Sequence, residues 1–256
     1  VFGVCNQLSL SIKVYQLKKK NVSKMRYILI VPLFFIGFAV TAQQQTAPVR
    51  GTWITNVASD VLRSEKNIRE AVTLCKQRGI NNIYVVVWNG GYTLYPSKVM
   101  ASYIGIRQHP AFNQFDPLRC MVAEGHRQGL KVHAWFEYGF AYAYKDTTGR
   151  WSKKYPHWVG RNSKGELLQK NGFYWWSALH PEVQAMMKAL VLEVVTNYDV
   201  DGVQGDDRLP AMPAEGGYDT ATVALYQQQT GSRPPADYKE PSWLQWKADQ
   251  LSAFGK

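Results

Sequence analysis

Cysteine is scarce, with three in 256 residues at Cys5, Cys75 and Cys120. That excludes a fold framed by disulfides. Cys75 and Cys120 each fall in an amphipathic stretch and read as buried thiols rather than a bridge. A Gly-rich phosphate loop and a G-x-S-x-G elbow are also missing, which removes nucleotide chemistry and the serine-hydrolase route. No His, Cys or Asp set falls at metal-ligand spacing along the chain, so neither metal nor cofactor is expected.

Acidic residues are absent from positions 1–42, whereas Lys13, Lys18, Lys19, Lys20, Lys24 and Arg26 lie there. Much of the formal charge of +11 therefore belongs to this segment, and the rest of the chain carries 24 basic against 19 acidic residues. That remainder is dispersed, with no basic stripe, zinc-finger spacing or aromatic RNA-binding signature, so no nucleic-acid partner is expected.

The N-terminal bias has a simpler reading. A basic lead, an apolar run over 27–40 and the small residues Ala39, Thr41 and Ala42 describe a secretory signal peptide over 25–42, cut after Ala42. The run falls short of the roughly 20 residues that span a bilayer, so no stable membrane span is expected after cleavage. A secreted or periplasmic location follows. Met25 stands where such a peptide would begin, and residues 1–24 read as an over-extended start.

What is present is ample apolar material, 46% hydrophobic and 13% aromatic, enough for a packed core. From residue 50 onward apolar runs alternate with helical periods, the βαβ rhythm of a parallel sheet covered by helices. Strands are expected over 51–57, 81–89, 130–140 and 200–205. Helices are expected over 64–79, with Ser64 as N-cap and Gly79 as stop, then over 116–129 behind Asp116 and Pro117, over 180–199 and over 240–256. A long aromatic connection occupies 141–179, and connections of that length usually carry function.

In parallel α/β folds the site lies at the C-terminal ends of the strands. Those ends deliver Asn56 and Asp60, then Trp88, Asn89 and Tyr92, then Trp135 and Glu137, then Gln204, Asp206, Asp207 and Arg208. Amides and carboxylates bind sugar hydroxyls, rings stack on sugar C–H faces, and glycosidic cleavage needs two carboxyls flanking the bond. Because strand side chains alternate, one carboxylate of the Asp206–Asp207 doublet should face the cleft. Asp207 is the expected one, with Asp206 orienting a neighbour and Glu137 the further acid. Trp88 and Trp135 are the expected stacking platforms.

At these residues the chain resembles the bacterial glycosyl-hydrolase-like family distantly related to glycoside hydrolase family 10. "RGTWITNVASDVL" (50–62), "VVVWNGGYTLYPS" (85–97), "HAWFEYGF" (133–140), "YPHWV" (155–159), "HPEVQ" (180–184), "YDVDGVQGDDRLP" (198–210) and "GYD" (217–219) carry the resemblance, in order. It implies a (β/α)8 TIM barrel that hydrolyses a poly- or oligosaccharide, in some members the glycan strands of the cell wall. The family commonly has an aromatic where this chain has Gly205, and His or Tyr where it has Arg208. Against eight strands only four βα units are legible here, so the resemblance implies an incomplete barrel domain over 50–256 whose open edges favour self-association. A non-catalytic glycan-binding protein or an inactive gene fragment is the alternative expectation.

Overall fold

The first strand, β1 (Gly51–Ile54), is shorter than its apolar pattern suggested, because the chain turns at Thr55 and places Ala58 at positive φ. The computed structural model describes residues 48–147 and 149–256, so the segments read as a signal peptide and an over-extended start lie outside the described residues. Ser64 opens helix α1 (Glu65–Gln77) by accepting the Asn67 N–H at 3.1 Å, and Gly79 (φ +74°) follows its end.

Strand β2 (Asn82–Val86) then runs parallel to β1. The apolar run beyond it does not continue as one strand. It folds into a hairpin, β3 (Trp88–Asn89) and β4 (Tyr92–Thr93), around Gly90 and Gly91, both at positive φ. Helix α2 (Lys98–Ile104), capped by Ser97, follows, and helix α3 (Pro117–Arg127) starts behind Asp116, whose Oδ1 accepts the Arg119 N–H at 3.0 Å.

Strand β5 (Lys131–Trp135) pairs with β2. The aromatic connection is itself structured. It contains β6 (Ala141–Tyr144), helix α4 (Arg150–Lys154), β7 (Gln169–Lys170) and β8 (Phe173–Trp175), the strands forming a small antiparallel sheet in the order β6-β8-β7. Trp151, Trp158 and Trp176 are buried with Trp88 in one ring cluster, so this segment folds by making its own aromatic core.

Helix α5 (Pro181–Asn197), capped by His180, leads to β9 (Gly202–Gln204); helices α6 (Thr220–Thr230) and α7 (Pro241–Phe254) complete the order. The main sheet is β1-β2-β5-β9, parallel throughout. Its helix-facing side chains Ile83, Val85, Val132 and Ala134 are buried in one core with Ile68 and Val72 of α1 and Leu118 and Met121 of α3. Gly125 is required in α3 because a Cβ there would lie 2.4 Å from Val132 Cγ2. Cys75 and Cys120 are free thiols, as expected, but only half-buried where full burial was expected; desolvation raises both.

On the opposite, concave face Trp53, Tyr84 and His133 share one register row. Their rings stack at 5.0 Å and 4.7 Å, and the row ends at Gly202, where a Cβ would meet His133 Nδ1 at 2.8 Å. The sheet curls enough that Trp53 Nε1, on one edge strand, donates to Gln204 Oε1, on the other, at 2.8 Å. This is α/β architecture of the (β/α)8 kind, present as a partial barrel. No helix among the described residues is long and apolar enough to cross a membrane.

Candidate active site

Two turns at the C-terminal ends of β5 and β9 meet. After Trp135 the chain makes a tight turn through Gly139 (φ +48°); after Gln204 it enters the loop 205–210, which contains a cis Leu209–Pro210 bond. The two are in backbone contact: Phe136 N donates to Gln204 O at 2.8 Å and Phe140 N to Arg208 O at 2.9 Å. The approach is so close that a Cβ on Gly139 would lie 2.0 Å from Arg208 O, and one on Gly205 2.0 Å from Leu209 O. A side chain at 205, which the family resemblance leads one to expect, has no room in this loop.

This contact gathers the polar side chains. Asn89 is buried and its Nδ2 donates to Glu137 Oε2 at 2.6 Å. Arg208 Nε donates to the Glu137 main-chain oxygen at 2.8 Å, and its Nη2 stands 3.8 Å from Asp206 Oδ2. Asp206 accepts from Trp135 Nε1 at 2.9 Å and from its loop neighbour Arg208 N at 3.2 Å. The guanidinium is held over Phe173 (4.7 Å) and Tyr138 (5.8 Å), a cation–π clamp that fixes its orientation.

Burial raises Glu137 above the ordinary carboxylate range, against the opposing effects of the Asn89 bond and Arg208. Burial also raises Asp206, against the Trp135 bond, and the Asp207 carboxylate beside it pushes the same way. Carboxyls raised by burial beside cationic and amide donors are the equipment of general acid–base chemistry.

Several expectations change here. Asp207 was expected to face the cleft, but β9 ends at Gln204, so strand alternation no longer governs the doublet. Asp206 turns inward, while the Asp207 side chain is 78% exposed and has Arg208 Nη1 at 3.6 Å. Trp88 is no stacking platform. It is fully buried, its Nε1 donating to Gly139 O at 3.0 Å, so it braces the turn that carries Glu137. Asp60 pairs with Arg63 at 3.0 Å on the surface, outside this cluster.

Trp135 is half-buried and spends its N–H on Asp206; Gln204 holds Trp53; Asn56 keeps a buried Oδ1 without a partner at the end of β1. Tyr92 lines a groove of about 290 Å³ with Tyr138, Tyr142, Tyr144 and Arg150. Sequence reasoning missed Tyr138 and Phe173 as the clamp on Arg208. The one signal for it was the aromatic density of 135–144 and 173–176.

The fold, with a carboxylate cluster at its strand ends, is that of a partial (β/α)8 barrel. The chain belongs to the glycosyl hydrolase-like 10 family, whose sequence pattern matches residues 48–256. Among curated relatives, Glycosyl hydrolase DigH of Escherichia coli (strain K12) is 31% identical over 202 residues, covering 65% of this chain and 43% of that protein. Glycosyl hydrolase YngK of Bacillus subtilis (strain 168) is 26% identical over 208 residues, covering 74% of this chain and 39% of that protein. The chain thus spans less than half the length of these relatives.

Among solved structures, a hypothetical protein from Ruminiclostridium thermocellum superposes with TM-score 0.54 at 16% identity, covering 79% of this chain and 87% of the other. The catalytic domain of a beta-amylase from Paenibacillus polymyxa gives TM-score 0.52 at 12% identity, over 80% and 60%. These likenesses concern the fold.

Proposed function

We propose that the chain contributes a carboxylate site for hydrolysis of the glycosidic bonds of a poly- or oligosaccharide, with cell-wall glycan as the substrate class that family membership favours. The observation that supports this reading is the meeting of the Glu137 turn and the Asp206 loop at the ends of β5 and β9, where Arg208 bridges the Glu137 main-chain oxygen and the Asp206 carboxylate and burial raises both carboxyls. In this reading Glu137, with a single donor on its carboxyl, holds a proton and gives it to the glycosidic oxygen. The C–O bond breaks with its electrons remaining on that oxygen.

Asp206, which accepts from the Trp135 and Arg208 N–H groups, is the ionised partner that stabilises the positive charge developing at the anomeric carbon; water then bonds to that carbon and gives a proton back to Glu137. Asn89 orients Glu137, and exposed Asp207 meets sugar hydroxyls at the mouth. The tyrosine-lined groove beside it offers ring faces for stacking. The segment 25–42, read as a signal peptide, favours action in the cell envelope or outside the cell.

The test is release of reducing ends from purified glycan strands of the cell wall. Glu137→Gln and Asp206→Asn should each abolish release while leaving the thermal transition in place. Strands bound but never cleaved by the unaltered protein would overturn the reading in favour of a glycan-binding role.

A further inference from the structure

Two of the sequence motifs, "YPHWV" and "HPEVQ", play no part in the carboxylate site, yet the fold brings them together. His157 lies in the short helical turn Pro156–Trp158, and His180 and Glu182 begin α5. His157 Nε2 stands 3.1 Å from Glu182 Oε2, the two imidazole rings lie 5.6 Å apart, and one ligand atom from each of the three residues lies within 4.8 Å of the others. Tetrahedral zinc with bonds of about 2.0–2.2 Å sets its ligands about 3.3 Å apart, so small side-chain rotations suffice to close the set.

A second observation points the same way. His157 and His180 line a pocket of about 530 Å³ that Asp219 also lines. Asp219 is only 4% exposed; its Oδ1 caps α6 through Thr222 N at 3.1 Å, but its Oδ2 is buried with no hydrogen-bond partner. A buried carboxylate oxygen left bare beside two imidazoles is costly unless something cationic or a hydrogen-bond donor fills the pocket. Arg161, the cation on the pocket wall, has its Nη1 engaged on Gly165 O.

We propose that His157, His180 and Glu182, with Asp219 joining the set through a water, bind a divalent transition-metal ion of the zinc class. The donor set of two imidazoles and carboxylates is one zinc accepts. The ion would clamp the aromatic connection to the starts of α5 and α6. The site is independent of the proposed glycosidase reading, and its test does not use activity.

The experiment titrates the tag-free, metal-stripped protein with zinc chloride by calorimetry, and with cobalt chloride by visible absorption. One zinc ion per chain is expected, with a cobalt d–d band and a rise in the melting temperature. His157→Ala and Glu182→Gln alter exposed side chains, so both should fold, as circular dichroism would check. Each should weaken zinc by more than the roughly 10- to 100-fold that loss of an outer-shell partner brings. Asp219→Asn keeps the helix cap and should weaken zinc less. Absence of saturable uptake by the unaltered protein, or uptake unchanged in either His157→Ala or Glu182→Gln, would overturn the proposal.

Discussion

Replacing Gly139 by alanine tests the joint between the two site loops. The new Cβ would stand 2.0 Å from Arg208 O and 2.9 Å from Leu209 Cβ, at a backbone position of φ +48°. Two penalties add. Left-handed backbone costs a non-glycine residue about 1–2 kcal/mol, of which about 0.4–1 is returned by the stiffer unfolded chain. Forcing packed groups apart costs a further ~1–3 kcal/mol.

Gly105 provides the control, since it ends α2 at φ +73° with nothing within 4 Å of its would-be Cβ. Gly105→Ala carries the first penalty alone. Each kcal/mol moves the melting temperature by roughly 2–4 °C in a chain of this size. Gly139→Ala should therefore melt about 2–12 °C below Gly105→Ala when both are followed by circular dichroism. It should also lose hydrolysis, because Arg208 is displaced from Glu137. Equal melting temperatures for the two variants would refute the argument that the loops are in backbone contact.

Three further outcomes follow from the same geometry. Burial raises Glu137 above its unfolded value, so its contribution to stability is complete below about pH 4.3 and is lost as pH rises through the folded value. Glu137→Gln, which cannot ionise, should gain on the unaltered protein in urea midpoint as pH climbs to neutrality; a difference flat with pH would contradict the burial argument. Trp88→Ala should cost about 3–5 kcal/mol of stability as a core deletion, and if glycan affinity fell with stability untouched the ring would have to be a platform after all. Lys247, buried with Nζ on Ala214 O and Gly216 O and lowered by desolvation to about 8, should appear in an NMR titration as one early lysine, missing from Lys247→Met.

The regular parts of this fold were legible because they rest on local chemistry. Ser64 and Asp116 sit where caps belong, Gly79 and Gly129 take the left-handed turn that ends a helix, and the apolar runs at 82–86 and 131–135 are strands buried on the helix side. What the sequence could not show depends on pairs distant along the chain. The run 81–89 breaks at Val87, whose N–H turns to Trp135 O across 48 positions while its own oxygen accepts Leu94 N from the hairpin. The choice between Asp206 and Asp207 turns on how the loop meets Gly139, which no alternation rule anticipates. His157 and His180 are 23 positions apart, too far for ligand spacing to register, and only the folded connection makes them neighbours.

The row of Trp53, Tyr84 and His133 gives the concave face an unusual tolerance of water. A barrel interior filled by valine, isoleucine and leucine would be driven to hide, at about 1.5–3 kcal/mol for each side chain left out. Here the row offers rings with wettable tips, each answerable to solvent as well as to protein: Trp53, 53% exposed, already reaches an amide, and His133 an asparagine oxygen at 2.8 Å. Such a lining is amphibious, at home against water or against protein, while keeping the shape that fixes how the four strands curve.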